Sequence, residues 1–99
     1  LIFLALASVY ILHSKKISNY YVGSCEDLSY RHGQHLCKQH KGSFTTRADD
    51  WEIFYYKDEL GSSQARKIER HIKRMKSQTY YQNLKIYPEI MERLMNKYK

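Results

Sequence analysis

A nearly continuous apolar run over residues 1–12, LIFLALASVYIL, is followed by a polar stretch and then by a second β-rich segment, YYVG. That succession constrains the fold more than any other feature. The run resembles the hydrophobic stretch of a signal peptide, but no basic flank precedes it, and it is well short of the ~20 apolar residues a membrane-spanning helix needs. Runs of this length are more often buried elements, so residues 9–12 read as a strand. Residues 15–19 then read as a polar connection and residues 20–23 as the antiparallel return strand. A chain of 99 residues has room for one small core around such a hairpin. Its 42% hydrophobic and 14% aromatic content excludes a disordered chain.

The rest of the chain punctuates into further elements. Ser24, with Asp27 three residues on, reads as a weak capping box opening a helix that runs to about Gln39, with Gly23 as the tight turn into it. KGSFTTRADD at residues 41–50 is a loop, WEIFYYK at 51–57 a third strand, and Gly61, Ser62 and Ser63 a break. Over residues 64–75, Ala65, Ile68, Ile72 and Met75 fall on one helical face and Arg66, Arg70 and Arg74 on the other. Ser77 caps a further helix running to about Lys85, and Pro88 opens a last one with Ile90, Met91, Leu94 and Met95 apolar. Those four side chains make this helix the first suspect for a dimer contact.

Charge narrows the partner. Seventeen Lys and Arg against ten acids give a formal net charge of +7, which favours a polyanion, nucleic acid above all. Two cysteines, Cys25 and Cys37, are too few for a disulfide framework, so reduced thiols in a cytoplasmic setting are expected. His32, His35, Cys37 and His40 crowd together with Cys25 upstream, but no paired ligand module flanks a loop, and structural zinc is disfavoured. Six cations, Arg66, Lys67, Arg70, Lys73, Arg74 and Lys76, surround one acid, Glu69. Such a run is usually a solvated face, and Glu69 alone reads most simply as the i+4 partner of Lys73.

Five separated elements nevertheless stand in a telling order: S-V-Y-I-L-H-S, Y-Y-V-G-S, D-L-x-x-R-x-x-x-H, W-E-I-F-Y-Y, and A-R-K-I-E with I-K-R-M-K-S. Together they resemble a GIY-YIG nuclease domain, closest to the small single-domain bacterial branch. The first motif reads Ser8, Val9, Tyr10, without the glycine that names the family, and nothing after about Lys85 is covered. The resemblance implies an α/β (α+β) fold: a central three-stranded antiparallel sheet flanked by helices, here with an extra C-terminal helix. It implies a nuclease domain over residues 1–85, with 86–99 a helical extension packed on or beside it. It also implies a divalent-metal-dependent endonuclease acting on DNA, structured or branched forms included, with Mg²⁺ or Mn²⁺ as cofactor.

Carried over residue by residue, the resemblance assigns catalysis to Tyr10, Tyr21, Arg31, His35 and Glu69, with Glu69 the metal ligand. Tyr10, with its pKa lowered by nearby cations, is then the proton acceptor for the attacking water, Tyr21 holds it in place, and Arg31 offers a forked cation to the phosphate. His40, Lys41, Arg66, Arg70, Lys73, Arg74 and Lys76 are the nucleic-acid-binding candidates, for DNA or RNA. No membrane partner and no small-molecule cofactor are expected, monomer and homodimer both remain open, and repair or recombination is the expected setting. The competing reading is a non-catalytic nucleic-acid-binding module on the same scaffold. A third, a membrane-surface protein anchored by residues 1–12, requires that this run not be a strand.

Overall fold

The computed structural model describes residues 6–26 and 50–99. The apolar run supplies strand β1 (Leu6–Ser14), the YYVG segment lies in β2 (Asn19–Glu26), and the aromatic stretch forms β3 (Glu52–Gly61). Both neighbours pair antiparallel with β1, giving the order β2-β1-β3. Three helices follow in the described residues: α1 (Ser62–Met75), α2 (Gln78–Ile86) and α3 (Pro88–Lys97). This is the α+β architecture the motifs implied. The expected helix ending near Gln39, the loop over 41–49 and residues 1–5 lie outside the described residues.

As the central strand, β1 is covered on both faces, which is why its sequence is apolar almost throughout instead of alternating. Ala7, Val9 and Ile11 face the main core, with Val22, Leu60, Ala65, Ile68 and Ile72. Tyr10 and Leu12 point the other way, into a second cluster with Trp51, against which Tyr21, Cys25 and Ile53 pack. Tyr81 and Leu84 of α2 and Met91 and Leu94 of α3 join the main core. The apolar face of α3 is thus spent inside the fold, with Ile90 and Met95 packed against the same cluster, and does not form a free dimer surface. Met75, expected on the apolar face of α1, is 44% exposed because the helix end overhangs the core.

Three local expectations change. Gly23 is not a turn: it sits inside β2 opposite Tyr10, without a positive φ. Ser24 caps no helix, because pairing with Val9, Ser8 and Ala7 carries β2 on to Glu26. β3 runs past Lys57 to Gly61, since bulges at two register shifts absorb extra residues and let the charged Asp58 and Glu59 stay in the strand. Glu59, between the Val9 and Ala7 pairings, takes the left-handed conformation with φ 58. Gly61 then opens α1 directly, its N–H donating to the Gln64 side chain at 3.2 Å. Ser77 caps α2 as expected, its hydroxyl accepting from the Tyr80 N–H at 3.1 Å.

Asp50 ties the entrance of β3 to the tip of the β1–β2 hairpin. Its carboxylate accepts from the Ser14 hydroxyl at 2.5 Å and from the Lys15 and Lys16 amides at 3.1 Å each. Those donors, the Ser14 hydroxyl first, hold the Asp50 carboxyl below the usual carboxylate range. Fully buried Ser14 is satisfied by the same bond. No helix among the described residues is long and apolar enough to cross a membrane.

Candidate active site

Tyr10 reaches its place because its partner across the ladder has no side chain. A Cβ at Gly23 would stand 2.6 Å from the Tyr10 hydroxyl and 2.7 Å from ring carbon Cζ, so the ring lies directly over the glycine. Tyr21, opposite Leu12 in register, shares that face, and the two tyrosine rings stand 6.5 Å apart at an interplanar angle of 32°. Strand periodicity puts Ser24 on the opposite face, towards α1. Tyr10 and Tyr21 on one face and Ser24 on the other therefore meet around the edge of the sheet beyond β2.

Helix α1 brings Glu69 to that edge. The Ser24 hydroxyl donates a short hydrogen bond to Glu69 Oε1, and Lys73 Nζ lies 2.7 Å from Oε2. Lys73 also stands over the Tyr21 ring at 5.9 Å. The Glu69–Lys73 pairing expected of any i+4 surface pair is thus present, but the carboxylate is no ordinary surface acid. Its side chain is only 19% exposed, its second oxygen is held by a residue 45 positions away, and its charge is felt by Tyr10.

The acidity of Tyr10 departs from expectation. Burial, then the neighbouring Tyr21 and then the Glu69 carboxylate push its pKa up from 10.0 to about 12, not down. No cation among the described residues offsets those effects, so the Tyr10 phenol is neutral here and can donate a hydrogen bond. Stability responds with a definite sign. The folded pKa lies above the unfolded one, so the contribution is complete below pH 10 and lost as pH rises through about 12. With discount for solvent screening this loss is about 2 kcal/mol. Denaturant titrations at a series of alkaline pH values should show a shallower decline for Tyr10→Phe than for the parent chain, and parallel declines would contradict it.

The other sequence candidates divide. Arg66, Arg70, Lys73 and Arg74 are exposed on α1, and Lys76 is its left-handed C-cap with φ 47. Arg66 lines, with Ser24, Cys25 and Ser62, a cleft of about 170 Å³ beside the Glu69 carboxylate's partner. Arg31, His35, His40 and Lys41 lie outside the described residues. Among the described residues no three His, Cys, Asp or Glu side chains converge as metal ligands. Cys25 is disulfide-bonded, which overturns the expectation of reduced thiols and removes the argument that a cytoplasmic setting rested on. Tyr55 and Tyr80 are half-buried, Tyr56 exposed and Tyr81 buried, so each aromatic doublet turns one ring further inward than the other.

Ser24 is the participant that sequence reasoning missed. Its signal was available: two positions beyond buried Val22 on the same face of β2, a hydroxyl residue faces the helix that carries the lone acid.

Two tyrosines and one helix-borne carboxylate thus converge at the edge of a small antiparallel sheet. The sequence matches the GIY-YIG catalytic domain family over residues 6–82, and the chain belongs to that family, which makes it a nuclease domain with nucleic acid as its substrate. No curated protein and no solved structure matches it.

Proposed function

We propose that this chain is a divalent-metal-dependent endonuclease that hydrolyses phosphodiester bonds of DNA. The observation that carries the reading is the convergence of Tyr10, Tyr21, Ser24, Glu69 and Lys73 at one sheet edge, from both faces and three elements. Structured or branched DNA is the substrate form we assign, with RNA the alternative.

Glu69 suits a hard cation. It is a single carboxylate whose oxygens each keep a lone pair beyond the Ser24 and Lys73 bonds, in a setting of hydroxyl oxygens, and Mg²⁺ or Mn²⁺ takes few protein oxygens and fills its shell with water and phosphate. When bound there, the metal would supply charge stabilisation to the phosphate and its leaving oxygen. Hydrolysis adds hydroxyl to phosphorus and a proton to the leaving oxygen. Tyr10, protonated, donates its O–H to a phosphate oxygen and so holds the phosphate in line for attack by water, and Tyr21 packs beside it. Arg31 is assigned the cation on the scissile phosphate and His35 a supporting role beside it. His40, Lys41, Arg66, Arg70, Lys73, Arg74 and Lys76 are assigned the backbone phosphates. Repair or recombination is the setting we assign.

Ser24 orients Glu69. Ser24→Ala should lower turnover about 10-fold, the loss of one charge-assisted hydrogen bond, while DNA affinity is unchanged and Ser24→Thr restores most activity. Equal losses in turnover and affinity would contradict that assignment.

One observation favours the non-catalytic reading: the Glu69–Lys73 ion pair occupies the only acid of α1. The experiment that decides is cleavage of labelled single-stranded, duplex, flapped and branched DNA and of RNA, with Mg²⁺ or Mn²⁺. Metal-dependent cutting supports the nuclease. Binding without cutting of any form moves the assignment to the module.

A further inference from the structure

Along α1, adjoining Glu69 through Lys73, runs a groove of about 550 Å³ lined by Lys67, Arg70, Lys73, Arg74 and Tyr98. Among the described residues four cations line it and no carboxylate does. Lys67 and Arg70 hold no ion pair among the described residues, so their charge is uncompensated. Lys67 and Arg74 are two turns apart on one helix, a span of about 10 Å. Lys73 belongs to the groove and to the Glu69 pair at once, which makes the groove continuous with the candidate active site.

The remaining wall comes from a part of the chain beyond the family match, which ends at residue 82. Tyr98 follows α3, and its hydroxyl lies 3.0 Å from His71 Nδ1 and 3.4 Å from Arg74 Nη2. Burial, then Lys97 and then Arg74, keep His71 below its ordinary pKa. With Nδ1 unprotonated, the ring accepts from the Tyr98 hydroxyl, and that oxygen accepts from Arg74. Gln64 pins the end of α3 to α1 by donating to the Met95 carbonyl at 3.0 Å. The C-terminal helix thus holds a cation of the groove in place.

We propose that this groove carries the sugar-phosphate backbone of DNA away from the scissile bond, with Tyr98 as the residue that positions Arg74. The identity of the substrate rests on the nuclease reading, whereas the groove itself is tested by binding alone. Uncompensated cations spaced along a helix attract phosphates without reading sequence, so contact shows as a salt dependence.

The test is anisotropy of a short fluorescein-labelled DNA duplex of mixed sequence, titrated in EDTA over a salt series, with the same sequence as RNA beside it. Lys67→Ala and Arg70→Ala should each weaken binding and reduce the log-log salt slope by about 1. Lys15→Ala, at the hairpin tip, removes the same charge and should leave the slope unchanged. Tyr98→Phe keeps the ring that packs on the core and loses the hydroxyl, so it should bind about 3-fold more weakly, with a melting temperature lowered by only a few degrees. In an Arg74→Ala background the Tyr98→Phe change should cost nothing more. Parental binding by Tyr98→Phe, full additivity with Arg74→Ala, or an equal slope change from Lys15→Ala would overturn the proposal, and tighter RNA binding would overturn the choice of DNA. Cleavage by the parent with parental binding by every groove variant removes the groove alone. Groove-dependent binding without cleavage removes the nuclease alone.

Discussion

Replacing Glu69 by Ala or Gln is expected to lower metal-dependent cleavage on the order of 10³-fold, while DNA affinity stays level or rises because a negative charge leaves a cationic surface. The two substitutions are informative together. Glutamine keeps an oxygen for the Ser24 hydroxyl but loses the anion that Lys73 and a divalent cation require. If Glu69 served only to hold β2 against α1, the glutamine variant would cut nearly as well as the parent. Initial rates in Mg²⁺ and in Mn²⁺, with binding measured in EDTA, separate these outcomes.

Gly23→Ala should be the most damaging single-methyl change among the described residues of the sheet. The backbone there is ordinary extended strand, so the substitution is not resisted by φ but by space: a methyl would meet the Tyr10 hydroxyl at 2.6 Å, Cζ at 2.7 Å and Cε2 at 3.0 Å. The buried tyrosine must move, at about 1–3 kcal/mol, which in a chain of this size lowers the melting temperature on the order of 10 °C. Turnover should fall with it, since the phenol leaves its post. Tyr10→Phe should not relieve the clash, because ring carbons remain in the way. Tyr10→Ala should relieve it, so Gly23→Ala and Tyr10→Ala together cost less than their sum. Strict additivity in thermal unfolding would show that the two residues do not share that space.

Most of the fold was legible in the chain, and the exceptions have physical causes. The hairpin followed from an apolar run, a polar turn and YYVG, and α1 from the spacing of Ala65, Ile68 and Ile72, because burial imposes a period that sequence displays directly. Gly23 and Ser24 were misread because glycine and serine carry turn and cap propensities that are local, whereas the pairing with Tyr10 and Val9 that holds them in β2 is not. The reach of β3 beyond Lys57 was hidden by bulges, which shift the alternation that a strand is recognised by. In the site, Tyr10, Tyr21 and Glu69 could be named from motif order alone. The acidity of Tyr10 could not, since it depends on burial and on a carboxylate from a distant helix. Ser24 and Tyr98 were invisible for the same reason: each matters through one long-range hydrogen bond, to Glu69 and to Arg74.

The placement of Tyr98 also governs how the protein is best handled. Whatever follows Lys99, native or fused, emerges one residue past the wall of the cationic groove, so a polyhistidine purification tag placed there would add its own titratable charge at the mouth of the surface being assayed. Oligonucleotide affinities measured with such a tag would mix the tag's contribution with that of Lys67 and Arg70, and would drift with buffer pH. Removing the tag before any salt series restores a measurement that belongs to the chain itself.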